Sequence, residues 1–473
     1  MTSPFSLCAT FDIQNLPDEV LLKVFDNCSI LERYRLRIIC RRWHRLTMAN
    51  VNRLIFKQTR SCQVFPLERD ALFDWNHDLT DPLFLHEHIC DIRKWTLKGY
   101  CIPILMNCLI KAAGKSLRTL FVDSVLVNRG NYYLLHLRTK FLEPSWKFSD
   151  NDYTENIFQV LVDNCPNITR LRFSGESSSS FTHQEFEQLM RKYGHQLEEL
   201  MFFKKYNYYD NFFRDTLVKH ANKNRLRRLC FSAPQQGDQY PQFMKLVCNT
   251  FPHLTLFHTQ TVSKVRKPCR YALDCKDSLK SLKQLQSLSL YNWEPTLDWS
   301  LRMPIEDWKK TLVGLELVCN KNDYPDDYPL RSLSFLQHLT SLRKLAITCS
   351  KNDHLELVVS LVPIELQTLS VYWESFQVKL PTLPDLSRLN QLIRLNIFCP
   401  GPKDPAEVLM FDDQQPLLSL RVLCIPIDHE IDSQYAKKYF ERMKQTIFPN
   451  LENLGSCFYT SNFLFRYVRF PWA

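Results

Sequence analysis

The chain has 473 residues, with 60 Lys and Arg against 50 Asp and Glu for a formal charge of +10. That length exceeds one ordinary domain and implies either several domains or a repeat array. A composition 45% hydrophobic and 23% charged excludes a wholly disordered chain, and only nine glycines argue against Gly-rich phosphate loops, a doubly wound nucleotide fold or collagen.

The first elements are helical. Leu16-Pro17-Asp18-Glu19 opens a helix: proline suits the first helical position, and the two acids suit the positive end of the helix dipole. Val20, Leu21, Val24 and Phe25 follow at helical spacing. A second apolar set, Leu31, Tyr34, Ile38 and Ile39, runs into Cys40-Arg41-Arg42-Trp43-His44-Arg45-Leu46. Periodicity alone predicts a generic three-helix bundle.

The order of the residues is more specific. Leu16-Pro17-Asp18-Glu19-Val20-Leu21-Leu22-Lys23-Val24-Phe25, followed by Ile39-Cys40-Arg41-Arg42-Trp43, resembles an F-box over about residues 11–50. The resemblance implies docking onto a Skp-type adaptor and, through it, a cullin scaffold. It assigns Leu16, Pro17, Val20, Leu21, Val24 and Phe25 to the adaptor-facing start. Ile39, Cys40 and Trp43 complete the fold and part of the contact. Two positions depart from the pattern. Cys28 stands where the family has leucine, and the leucine expected near the second helix falls at Arg33 or Tyr34.

From about residue 90 the chain returns to one phrase, L-x-x-L-x-L with apolar swaps. Copies begin at Ile92, Leu117, Ile168, Leu197, Leu226, Leu254, Leu285, Leu312, Leu342, Leu366, Leu392, Leu420 and Leu451. The steps from Ile168 onward average about 28 residues, within the leucine-rich repeat period. The copy at Leu254 is poor, and the one at Leu451 reads as an end repeat. Helices lie between the phrases. Thr182 and Glu185 make a capping box, Phe186, Leu189, Met190 and Tyr193 an apolar face, and Gly194 a C-cap. Phe243, Leu246 and Val247 repeat the pattern, as do Ala436, Phe440, Met443 and Ile447. Strands spaced ~4.8 Å and helices needing ~8–10 Å make such a stack curve. The expected fold is α/β: a small three-helix F-box, then a leucine-rich-repeat horseshoe with parallel strands on the concave face and helices on the convex face. The expected division is 1–10 flexible, 11–50 F-box, 51–90 linker or first irregular repeat, and 91–473 solenoid, with an insertion near 124–152.

Other features read as ordinary. The 17 cysteines are odd in number and form no C-x-x-C. The start, Met1-Thr2-Ser3-Pro4-Phe5, lacks the basic stretch and apolar core of an export signal, so reduced, buried thiols in cytoplasm or nucleus are expected. His86-Glu87-His88-Ile89-Cys90 lacks a second cluster to complete a metal site and reads as a polar segment. Lys264 to Arg270 reads as a solvated basic loop, and Met201 to Tyr209 as a protein-binding loop. The charge is too mild to mark a nucleic-acid partner, and no apolar run nears the ~18 residues a bilayer needs. No catalytic arrangement stands out, and no cofactor is called for.

F-box and repeats together resemble the substrate-receptor subunits of SCF ubiquitin ligases, non-catalytic proteins that deliver a protein substrate for ubiquitination and degradation. The alternative is a repeat scaffold acting outside a ligase, the F-box-like segment serving as its cap. In the phrase, the leucines face the core and the alternating x positions face the inner surface. That surface then carries Lys94, Arg170, Arg172, Arg228, Lys344 and Arg394, with Lys98, Phe203, Tyr291, Tyr372 and Phe398. Its acids are Asp123, Glu199 and Glu316. A substrate segment that is acidic or phosphorylated is expected along Arg170, Arg172, Phe203, Arg228, Tyr291, Lys344, Tyr372, Arg394 and Phe398.

Overall fold

A computed structural model describes residues 16–49, 51–57, 87–91, 102–123, 157–174, 183–202, 211–232, 239–260, 276–291, 303–318, 330–349, 352–373, 383–400, 415–425, 441–459 and 465–469. The chain forms two compact units. The described part of the first runs to residue 121 and again from 157 to 168, and that of the second comprises Val122, Asp123 and the described residues from Thr169 on. The expected flexible start at 1–10, the Ile92 phrase with Lys94 and Lys98, the insertion at 124–152, Thr182, and most of the two loops at 201–209 and 264–270 lie outside the described residues.

The first unit opens with α1 (Asp18–Asp26), α2 (Ile30–Leu36) and α3 (Arg41–Leu46). Pro17 lies one residue outside α1, at the N-cap and not at the first helical position: with ψ at 151° its carbonyl accepts from Val20 and Leu21. Ser29 and Glu32 form a reciprocal capping box that starts α2. The hydrogen bonds from Ser29 hold the Glu32 carboxyl below its usual pKa. The Cys40 thiol caps α3, accepting from the Trp43 amide at 3.4 Å.

After the helices come β1 (Arg53–Lys57), β2 (Glu87–Asp91), α4 (Ile102–Ala113), β3 (Thr119–Asp123) and α5 (Ile157–Asn164). β1 lies between β3 and β2 and runs parallel to β2. The segment read as polar, 87–91, is therefore a strand, on the far edge of β1. The Asn52 carbonyl accepts from both the Arg118 and Thr119 amides, at 2.8 and 3.0 Å. The same doubly accepting carbonyl recurs in the second unit, where Thr169 takes the Glu198 and Glu199 amides. Val51 and Leu54 are buried, so the phrase beginning at Val51 is a repeat that follows α3 directly. The Ser116 hydroxyl sits within 3.1 Å of the Met48 carbonyl, 3.0 Å of Val51 and 2.8 Å of Ala113. Ser116→Ala is expected to cost about 1–2 kcal/mol of unfolding free energy in urea titration, because it leaves partly buried carbonyls with one donor fewer.

The second unit is a ladder. Its strands are β4 (Arg170–Ser174), β5 (Glu199–Phe202), β6 (Arg228–Ser232), β7 (Leu256–Gln260), β8 (Ser287–Tyr291), β9 (Gly314–Val318), β10 (Lys344–Cys349), β11 (Thr368–Trp373), β12 (Arg394–Pro400), β13 (Val422–Ile425), β14 (Asn453–Tyr459) and β15 (Phe465–Arg469). β4 to β14 follow in sequence order, each parallel to the next, and β15 closes the edge antiparallel to β14. Each strand from β4 to β14 starts two residues past the first residue of its phrase. The poor copy at Leu254 forms a full strand, with Phe257 in the leucine column. That column, from Leu171 to Leu423, is buried throughout. Such side chains stabilise by roughly 1.5–3 kcal/mol each, which is why a short phrase suffices to set the register.

Between strands lie α6 (His183–Tyr193), α7 (Asn211–His220), α8 (Gln239–Thr250), α9 (Lys276–Leu279), α10 (Ile305–Trp308), a 3-10 segment (Leu330–His338) and α11 (Asn352–Leu361). α6, α7, α8 and α9 pack each on the next. Phe186, Leu189, Met190 and Tyr193 are buried, as are Phe243, Val247, Met443 and Ile447, while Leu246 is half-buried. Gly194 is needed for a reason other than capping: a Cβ there would run into the carbonyls of His220 and Met190. Glycine lets α6 approach the end of the next repeat's helix. Cys28, Cys40, Cys108, Cys165, Cys230, Cys248, Cys349 and Cys424 form no disulfide. Burial pushes the Cys165 and Cys349 thiols up to about 12, which keeps them protonated and unreactive. No helix among the described residues is long and apolar enough to cross a membrane.

Candidate functional site

The three-helix module divides its nine expected adaptor residues into core and surface. Leu21, Phe25 and Trp43 are the core, with Leu16 and Cys40 packed against them. The Phe25 and Trp43 rings meet edge to face, centroids 5.1 Å apart. These three hold the module together. Pro17, Val20, Val24 and Ile39 are exposed. Val20 and Val24, at 40% and 38% exposure, share one face of α1 by their i, i+4 spacing. Ile38, counted above among the helix-facing apolar positions, is 89% exposed. Its neighbour Ile39 is the sequence signal for it: two adjacent isoleucines outside a strand cannot both face one core.

The two departures from the family pattern are accommodated together. The Arg33 guanidinium is buried, donating to Asp26 at 2.8 Å and to the Cys28 carbonyl at 3.3 Å. A cation there satisfies the orphan carbonyl end of α1. Arg42 ties α3 to the start of α1, donating to Asp18 and to the Leu16 carbonyl.

The ladder supplies the second candidate surface. Parallel register puts Arg170, Glu199 and Arg228 in one column, continued through Leu256, Ser287 and Gly314 to Lys344, Thr368 and Arg394. Four of the expected basic residues thus share one row, all half-buried. Arg172, on the adjacent row, is buried and hydrogen-bonded to the buried Glu199. Arg228 approaches the same carboxylate at 3.8 Å, and Arg170 lies 3.6 Å from Glu198. Burial pushes the Glu199 carboxyl up, but Arg172, and then Arg228 and Arg170, overcome it and hold the pKa below the usual value. Tyr372 is buried too: its hydroxyl donates to Glu316 at 3.2 Å, and Ser289 donates to the same carboxylate at 2.6 Å. Arg172 and Tyr372 therefore stand in the covered layer of this face. Tyr291 and Phe398 occur in β8 and β12, Phe398 in register with Tyr372. Phe203 lies outside the described residues.

His258, Ser289 and Glu316 also share a register position, on β7, β8 and β9. Serine is the middle member and donates to the acid, whereas hydroxyl activation needs an imidazole between serine and acid. All three are buried.

The family model for the F-box domain matches residues 13–51. The chain carries an F-box. Its helices α1 to α3 fall within that match. No curated protein matches the sequence. Among solved structures, the leucine-rich repeat-containing protein LegL7 from Legionella pneumophila is 12% identical, covering 76% of this chain and 88% of that one at a TM-score of 0.31. The Rad7 and Elc1 complex in yeast gives 15% identity, the same coverage and a TM-score of 0.30. At such scores the likeness carries no weight, and the repeat fold behind the F-box rests on the ladder and its phrase.

Proposed function

We propose that this chain is the non-catalytic substrate-recognition subunit of an SCF-type ubiquitin ligase. The F-box holds a Skp-type adaptor and through it cullin, and the repeats hold a protein destined for ubiquitination and proteasomal degradation, in cytoplasm or nucleus. Catalysis is then by proximity, the transfer chemistry belonging to other subunits. The observation that carries the reading is the exposed pair Val20 and Val24, apolar side chains set on a helix whose opposite face is the Leu21–Phe25–Trp43 core. Leu16, Pro17 and Ile39 complete the adaptor surface. A partner segment that is acidic or phosphorylated meets the row of Arg170, Arg228, Lys344 and Arg394.

A second reading has an observation of its own. α3 leads within a few residues into β1, and Ser116 fastens that junction, as a solenoid cap would. Acting only as a cap, the F-box would bind no adaptor. The full chain is mixed with purified Skp-type adaptor, and Val20→Asp with Val24→Asp is expected to weaken binding by about 100-fold or more. Thermal unfolding should stay unchanged, since both side chains are exposed. A wild-type chain that fails to bind adaptor would favour the cap.

A further inference from the structure

The strands from β4 to β9 run parallel, so the turns that enter them line one edge of the ladder. Backbone bonds stitch that edge from repeat to repeat. The Arg227 amide donates to the Glu198 carbonyl at 2.8 Å, and the Thr255, Gln286 and Val313 amides each donate to the preceding member of the row at 2.7 Å. Just ahead of the row, Lys192 nears the end of α6, Lys223 and Arg225 lead into β6, Lys283 into β8 and Lys310 into β9. All are exposed, and none of these described side chains makes a hydrogen bond or an ion pair. Neighbouring cations are matched instead: Arg191 by Glu187 at 2.6 Å, Lys280 by Asp277 at 3.2 Å and Lys309 by Glu306 at 2.6 Å. Asp307 is also exposed near Lys310 and offsets part of the remaining charge.

We infer that this strand-entry edge, from β5 to β9, docks an acidic segment of a partner polypeptide that also carries aliphatic side chains. The surface lies outside the inner basic row and does not depend on the receptor reading. Ammonium and guanidinium groups with no acid of their own attract a polyanion along the whole edge, which a paired cation does far less. From β5 to β9 are four strand spacings, about 19 Å, which an extended segment of about six residues spans. Val313 decides between partner classes. It is 38% exposed in the stitched row, bonded to Gln286 and close behind Lys310 in sequence. An aliphatic side chain among cations suits a chain that mixes carboxylates with aliphatic groups, and offers nothing to a sugar–phosphate backbone. No Phe, Tyr or Trp is exposed in the described turns, so bases have no platform there on which to stack.

The test measures binding of the full-length chain by fluorescence anisotropy with labelled probes of matched charge: a glutamate–leucine peptide, a glutamate–serine peptide and a DNA duplex. The glutamate–leucine peptide should bind tightest. Lys223→Glu with Lys283→Glu should weaken it by roughly tenfold or more. Lys245→Glu with Lys444→Glu makes the same change in net charge at exposed sites away from the edge, and should weaken it by less than about threefold. Val313→Ser should cancel the preference for leucine over serine. Urea unfolding of each variant verifies that the ladder is intact. Equal losses in the two charge-reversed pairs would mean that the peptide reads net charge alone. Full binding by the first pair would place the peptide elsewhere, on the inner row for instance. Either result overturns the edge. Equal binding of the two peptides by the wild type, or a duplex that binds tighter than both, overturns the acidic and aliphatic partner.

Discussion

Trp308→Ala is expected to lower the unfolding free energy by about 3–5 kcal/mol, more than any surface change in the chain. Trp308 ends the four-residue helix α10 and is fully buried, among the largest such side chains present. Its indole N–H donates to the Leu282 carbonyl of the preceding repeat at 3.0 Å. Truncation therefore opens a cavity and orphans a buried acceptor that reaches across a repeat boundary. In a solenoid each repeat is supported by its neighbours, so the loss should spread along the ladder. Hydrogen exchange should quicken in β8 and β9 before it does in β4. Trp308→Phe keeps most of the volume and loses chiefly the hydrogen bond, about 1 kcal/mol. Equal costs for the two variants in urea titration would assign the stabilisation to the hydrogen bond and not to packing.

The ladder was legible because one rule governs it. Leucine columns must face the core, so the phrase marks both the strand and its direction, even at Leu254 where phenylalanine replaces leucine. The stretch at Val51 was legible only as a linker or irregular repeat, because it follows the F-box helices directly and a single copy next to an unrelated module has no period to reveal it. β15 has no phrase at all, because an antiparallel closing strand obeys a different geometry. The F-box was legible in its order of residues, but not in its division of labour, since Leu21 and Val20 look alike in a helical pattern. The ladder face shows the same limit. Alternation tells which way a side chain points, not how deep it ends up. Arg172 and Tyr372 are covered because their partners, Glu199 and Glu316, are 27 and 56 residues away in sequence and come close only through the stacking of strands.

Arg172→Met is expected to cost about 3–5 kcal/mol, because it strips the nearest cation from a carboxylate that stays buried. Adding Glu199→Leu should restore much of that loss, since two apolar side chains in place of a buried pair leave no charge uncompensated. The pH dependence separates this from simple loss of packing. In the wild type the folded-state pKa of Glu199 lies below 4.5, so its contribution is complete above that value and is lost as pH falls through the folded pKa. In Arg172→Met, burial acts with less opposition and raises the folded pKa. The folded state then binds a proton more readily than the unfolded state, and the variant regains stability as pH falls. The gap between wild type and variant should accordingly narrow on acidification from pH 7 toward pH 4.5, and the double variant should show no such narrowing. A single variant whose deficit is below about 1 kcal/mol and constant with pH would mean that Arg170 and Arg228 suffice to hold Glu199 ionised. The row around Glu199 would then be a shared charge network in which Arg172 is replaceable.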